Sequence, residues 1–327
     1  MPSAAATWDN DLTVGEYLHH WLAHAKGRVR ATTYDGYESL VRLHALPVLG
    51  QVALHDLHPL HVQGLYADLL VTPRQSGRIL SAATVRNLHR VLVLAFSVAV
   101  SWGLIDHNPA TAAQGPRPRR PEMAVVDQAM AERILQASRG TALELPAAIA
   151  LATGMRRGEI LALRWSDLDL TYTTAQVRRS LQVSGGRLSF EAPKTPRSRR
   201  QVALPQFLGT YLAAQRADQA LRRAGHPEAW TDLDLIVDGG GGRPWNPDSL
   251  SSSWVRCLRA AGLPRIRFHD LRHAHATLML LKGIHPKVVS ERLGHASIGI
   301  TLDIYSHVLP TMQAEAARAI DELFRAS

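Results

Sequence analysis

The stretch HDLRHAHATLML, residues 269–280, sets His269, Arg272 and His273 on one face of a helix. On the adjoining face Leu271, Ala274, Leu278 and Leu281 recur at i, i+3, i+7 and i+10, the apolar stripe of a buried helix. Histidine exchanges a proton near neutral pH, and guanidinium grips phosphate oxygens in a planar fork. The polar face therefore has the makings of an anion site. The HD and HxH pairs, His269, Asp270, His273 and His275, also resemble metal ligands, so both chemistries stay open at this point.

The elements that must hold such a face are mostly helical. VGEYLHHWLAHA, TTYDGYESLVRLHALPVLG, HPLHVQGLYADLL and SAATVRNLHRVLVLAFSVAVSWG carry helical periodicity between Thr13 and Gly103, which predicts a four- or five-helix unit. TAAQGPRPRRPEMAV, residues 111–125, crowds Pro with Arg, loses all periodicity and reads as a stiff basic linker. DQAMAERILQASRG and ELPAAIALATG follow as helices, with Gly154 where a C-terminal cap belongs. DLTYTTAQVRRSLQV, RLSFEAPK and RRQVALP then predict a small antiparallel sheet of three strands. Helices return from PQFLGTYLAAQRADQALRRAG to the end of the chain, interrupted by DGGGGRPWNPDS. That glycine run lacks the GK[ST] of a phosphate loop and is expected to be a flexible connection.

A chain of 327 residues exceeds what one core usually supports, so two domains are expected. Hydrophobic residues make up 46% and charged residues 20%, which argues against a disordered chain. No run of about 18 apolar residues and no signal-peptide pattern is found, which predicts a cytoplasmic protein with no membrane partner. A single cysteine, Cys257, excludes an internal disulfide and a thiolate-rich metal site. Lys plus Arg outnumber Asp plus Glu by 37 to 28, the balance of a protein that meets a polyanion.

Four blocks in fixed order, TGMRRGEILALRWSDLDL, PKTPRSRRQVALP, HDLRHAHATLML and ERLGHASIGITLDIYSHV, resemble the tyrosine recombinases of the phage-integrase family. The resemblance runs from about Val125 to the C-terminus. It implies catalytic roles for Arg156, Lys194, His269, Arg272, His295 and Tyr305, with Glu159 as a supporting carboxylate. It also implies a mainly α fold with a small antiparallel β-sheet. Residues 1–112 would form a helical SAM-like core-binding domain, 113–124 the linker and 125–327 the catalytic domain, two lobes clamped around duplex DNA. The linker arginines Arg117, Arg119 and Arg120, with Arg157, Arg199 and Arg200, are the candidates for DNA contact. His273 is expected to make a structural hydrogen bond and His275 none of consequence. Because the first helix lies close to the start of the sequence, the resemblance leads to the expectation of no arm-binding domain of the kind larger integrases carry.

The chemistry so implied is cleavage and rejoining of DNA with neither metal, ATP nor other cofactor. Phenol has a pKa near 10, so about one Tyr305 in a thousand would be phenolate at neutral pH and the nucleophile needs a base. His269 is the candidate base, Lys194 the acid for the departing 5′ oxygen, and Arg156, Arg272 and His295 the donors to the phosphate. The partners would be double-stranded recombination sites, a homotetramer on synapsed DNA, and a directionality or accessory factor. A last helix, with Met312, Ala316, Ala319, Ile320, Leu323 and Phe324 on one face, is expected to dock on a neighbouring protomer. Two rivals stand beside this reading: a metal-dependent DNA phosphoesterase, which leaves Lys194 and Tyr305 unused, and a non-catalytic DNA-binding relative, against which the intact residue set argues.

Overall fold

The computed structural model describes residues 11–73, 77, 79–118, 126–169, 171–192, 199–295, 297–299, 301–302, 317–318, 320–322 and 324. The chain divides into two compact units, Met1–Glu122 and Met123–Ser327. In the first, α1 (Val14–Ala25) opens on a capping box in which Thr13 and Glu16 satisfy each other's amides. Val14, Tyr17, Leu18, Trp21 and Leu22 form its buried stripe. Gly15 lies against the backbone of Gly50, donating to its carbonyl at 3.0 Å. A Cβ there would sit 2.9 Å from that oxygen, so only glycine allows the approach. α2 (Ala31–Leu40) runs into α3 (Leu46–Leu49) through a π-turn at Val41–Ala45, just ahead of Pro47, which brings no amide N–H to the ladder.

α4 (Pro59–Val71) and α5 (Ala82–Ser101) complete the unit with the single turn α6 (Pro109–Ala112). α5 is long and apolar enough to cross a membrane by length and composition. Its Val85, Leu88, Leu92, Ala95, Phe96 and Ala99 are buried, though, and Tyr17 donates to its Ala95 carbonyl at 2.5 Å, so it is the core helix of this unit. It ends at Trp102, followed by Gly103 in the left-handed region.

In the second unit α7 (Gln128–Ser138) is capped by Asp127, and α8 (Glu144–Thr153) is buried at every position from Leu145 to Thr153. A helix apolar on all sides has to lie at the centre, and the rest of the unit is wrapped on it. α9 (Arg157–Leu161) follows, then β1 (Thr174–Val177), β2 (Ser180–Ser184), β3 (Arg187–Glu191) and β4 (Arg200–Ala203). β1 pairs antiparallel with β4, Thr174 opposite Ala203 and Val177 opposite Arg200. β2 pairs with β3 across the Gly185-Gly186 turn, both glycines at positive φ.

There are thus four strands among the described residues, in two pairs, where three were expected. The break falls at Arg178 and Arg179, which leave the ladder. Arg179 bonds the buried Asp167 carboxylate at 2.6 Å and Arg178 turns back to Gln176. α10 (Phe207–Gly225), α11 (Pro247–Ala260), α12 (Asp270–Leu281) and α13 (Pro286–Leu293) close the described core.

Two further expectations are corrected. The glycine run is a hydrogen-bonded turn: Asp238 pairs with Arg222 at 3.0 Å and takes the Gly240 amide, while the Gly239 amide bonds the Arg243 carbonyl. α12 does bury Leu271 and Ala274, but Leu281 is 50% exposed. Its other buried apolar positions, Ala276 and Leu280, pack instead with Val289 and Leu293 of α13. The helix is therefore held on two sides.

Candidate active site

The site forms where α8, α12 and α13 end or begin. α8 stops at Gly154 in the left-handed conformation, φ 64°, and a Cβ there would strike Leu293 and come within 2.7 Å of the His275 ring. The carbonyl of Gly154 accepts Arg272 at 2.7 Å, and Arg272 also donates to the Leu293 carbonyl at 2.7 Å. Two of the five guanidinium donors are used to fix the plane of the group, which is 4% exposed. Burial, then the charge of Arg156, lowers Arg272 to about 9, so it still carries its charge at neutral pH.

Arg156 caps α9 and shares one carboxylate with a partner the sequence reading did not assign to it. Its amide and guanidinium reach the two oxygens of Glu159 at 2.9 and 2.8 Å, and it donates to the Gly294 carbonyl at 3.2 Å. Arg200 grips the same carboxylate from the other side, 2.9 Å to Oε2, with its Nε on the Arg292 carbonyl at 2.7 Å. Burial would raise the Glu159 carboxyl, but the hydrogen bond and charge of Arg200, then those of Arg156, outweigh it and hold it below the ordinary range.

His295 follows Gly294, the left-handed cap of α13, and shares a hydrogen bond of 2.8 Å with the buried Thr301. A cavity of about 560 Å³ opens beside it, lined also by Lys287, Ser290 and Glu291. His269 precedes α12 and is exposed, with its ring 5.6 Å from that of His273. Desolvation by neighbouring side chains, then the positive charges of His273, Arg272 and Arg156, hold His269 down at about 4. Desolvation followed by Arg272 and Arg156 does the same to His295. Both rings are neutral at pH 7.

Arg156, Glu159 and Arg272 are therefore brought together on the turn at Leu293 and Gly294 that leads into His295, and His269 stands near enough for the charges of Arg272 and Arg156 to act on it. Lys194, Tyr305, Arg119 and Arg120 lie outside the described residues, as do Met312, Ala316, Ala319 and Leu323 of the last helix. Ile320 and Phe324 are exposed, as are Arg117 and Arg199.

Two expectations are corrected, for Arg200 and for the histidines. Arg200 is buried behind Glu159, its side chain 7% exposed. Arg157, a third exposed, donates to the Pro247 carbonyl and to Ser251, tying α9 to α11. The two histidines exchange parts. His273 leaves its buried Nδ1 without a partner among the described residues, while His275 takes Arg292 Nε on Nε2 at 3.1 Å and donates Nδ1–H to the Leu151 carbonyl at 2.8 Å. Arg292 also bonds the carbonyls of Ala152 and Ala203. One signal for Arg200 was available in the sequence: a carboxylate buried in so basic a chain calls for more than one guanidinium. Nothing local marks His275. Among the described residues no three His, Cys, Asp or Glu side chains gather as metal ligands, and Asp270 is engaged by Arg267.

Comparison with known proteins places these features. Residues 124–312 match the model of the phage integrase family, and residues 13–70 that of the phage integrase N-terminal SAM-like domain. A tyrosine recombinase XerC-like protein of Caldanaerobacter subterraneus subsp. tengcongensis is 28% identical over 334 residues, covering 96% of this chain and 84% of that one. An integrase of Saccharopolyspora erythraea is 26% identical, covering 95% and 82%. Among solved structures, the Tn1549 transposon integrase in complex with transposon right end DNA superposes with a TM-score of 0.78 at 21% identity, over 94% of this chain and 99% of that one. A lambda integrase tetramer bound to a Holliday junction gives 0.67 at 19%, over 90% and 78%. The structural likenesses establish the mainly helical fold with its small antiparallel sheets. The family model covers more than half of the sequence, so the chain belongs to the phage integrase family and is a site-specific tyrosine recombinase.

Proposed function

We propose that the chain cleaves and rejoins double-stranded recombination sites through a 3′-phosphotyrosine on Tyr305, using neither metal nor ATP. One observation carries the reading. Among the described residues Arg156 and Arg200 share one carboxylate, Glu159, while the buried Arg272 and the half-buried Arg292 donate to backbone carbonyls and to His275, so guanidinium groups outnumber carboxylates in these contacts. Such an excess is costly unless an anion joins it. A phosphodiester under attack is that anion, and its charge grows toward the transition state, where fixed donors stabilise it most.

In this scheme the phenolic oxygen of Tyr305 attacks the phosphorus while neutral His269 takes its proton. Arg156, Arg272 and His295 hold the non-bridging oxygens. Lys194 gives a proton to the departing 5′ oxygen, leaving a 5′-hydroxyl. The phosphotyrosine ester keeps the energy of the broken bond, so the reverse attack reseals a strand without a nucleotide cofactor. Residues 1–112 serve as the core-binding domain, 113–124 as the linker and 125–327 as the catalytic domain. The assembly is a homotetramer on synapsed sites in the cytoplasm, joined by a directionality factor where one is used, and the last helix docks on a neighbouring protomer. The DNA-bound and tetrameric relatives support this assembly.

The test is covalent trapping on nicked suicide duplexes tiled across the DNA that flanks the gene. An adduct that survives denaturant and excess EDTA, and that Tyr305→Phe cannot form, is expected. Loss of the adduct with EDTA would favour a metal-dependent phosphoesterase, and an undiminished adduct from Tyr305→Phe would remove the nucleophile.

A further inference from the structure

Arg200 stands at the first position of β4 with its guanidinium buried, and its bonds run in two directions. Toward α9 it donates to both oxygens of Glu159, at 3.2 Å to Oε1 and 2.9 Å to Oε2. Those same oxygens fix the Arg156 guanidinium and amide. Toward α13 its Nε donates to the Arg292 carbonyl. That carbonyl belongs to the turn whose next two, Leu293 and Gly294, accept Arg272 and Arg156, and whose following residue is His295. One planar group thus joins the carboxylate that aims one arginine to the helix end that aims the other.

We propose that Arg200 is a positioning residue of the recombinase. By holding Glu159 and the C-terminal turn of α13 together, it sets the angle at which Arg156 and Arg272 meet the scissile phosphate, and it does so without touching DNA. The proposal rests on the phosphotyrosine reading above. The geometry requires arginine: an ammonium is a compact point charge without the rigid fork, and it cannot serve Glu159 bidentately while also holding the Arg292 carbonyl. Without Arg200, Glu159 is a buried carboxylate with one cationic partner fewer, and Arg156 is drawn toward it and away from the phosphate.

The experiment compares wild type, Arg200→Met, Arg200→Lys, Glu159→Gln and the Arg200→Met/Glu159→Gln double variant, all as full-length protein. The probe is the flanking duplex on which wild type forms its adduct, and rates are measured below the onset of melting of every variant. Arg200→Met should slow adduct formation on the order of 10²-fold, the scale for a displaced catalytic group, with the Kd for the un-nicked duplex unchanged. Arg200→Lys should recover little of the rate even where it recovers the melting temperature. In the Glu159→Gln background Arg200→Met should add almost nothing, since the path it acts through is already cut.

Weakened duplex binding at an unchanged rate would make Arg200 a DNA contact and overturn the proposal. So would full rescue by lysine, or effects of the two substitutions that multiply. Should Arg200→Met fail to fold, Arg200→Lys alone decides, because a purely structural cation predicts its normal turnover. Failure of the phosphotyrosine reading looks different: wild type forms no adduct, or Tyr305→Phe forms it.

Discussion

Substituting Gly154 by alanine separates two costs that the structure makes calculable. At φ 64° an alanine is in the left-handed region, which costs about 1–2 kcal/mol relative to glycine. The added Cβ would also press on Leu293 and the His275 ring, and overpacking of a filled site costs about 1–3 kcal/mol more. Gly140 is the control: its φ is 70°, but among the described residues nothing lies within 4 Å of a Cβ built there, so Gly140→Ala bears the conformational cost alone. For a unit of this size each kcal/mol shifts the melting temperature by roughly 2–4 °C, so Gly154→Ala should melt roughly 4–20 °C low and Gly140→Ala roughly 2–8 °C low. Urea unfolding followed by fluorescence measures both. Because the Gly154 carbonyl also holds Arg272, Gly154→Ala should cleave more slowly even where it is folded, while Gly140→Ala should cleave normally. Equal destabilisation by the two would refute the account of how Gly154, His275 and Leu293 are packed.

Acid should destabilise the second unit. His269, His275 and His295 are held at about 4 against an ordinary 6.5. Above pH 6.5 both folded and unfolded forms are neutral. Between 6.5 and 4 only the unfolded chain takes up the protons, so stability falls as pH falls, by on the order of 3 kcal/mol for the buried His275 alone. His275→Gln should flatten that slope, and an unchanged slope in urea titrations at several pH values would show that His275 is not the source. If neutral His269 is the base, kcat/KM for cleavage, which reports the free enzyme, should stay level through pH 6.5 and decline only toward 4, whereas a midpoint near 6.5 would contradict its depressed basicity. Arg272→Lys should lower cleavage about 10²- to 10³-fold by losing the fixed fork, which single-turnover rates will show. Sulfate should raise the melting temperature more than chloride at equal ionic strength, and the difference should shrink in Arg272→Gln. Equal gains in both proteins would assign the effect to general salting-out.

Much of the local structure was legible in the residues themselves. The Thr13 and Glu16 box starts α1, and Gly154 and Gly294 end α8 and α13, because caps and left-handed glycines are choices made within a few residues. The residues for phosphate chemistry, Arg156, Glu159, Arg272 and His295, were recognisable through the resemblance of their motifs to the phage-integrase family. Only tertiary structure decided their partners. Arg156 meets Gly294 across 138 positions, Arg272 meets Gly154 across 118 and Arg200 meets Arg292 across 92, and no periodicity encodes a hydrogen bond over such spans. The broken strand at Arg178, the outward Leu281 and the exchange of parts between His273 and His275 have the same origin. Each depends on which buried carboxylate, carbonyl or apolar face folding happens to bring alongside, and a buried polar group takes whatever partner satisfies it there.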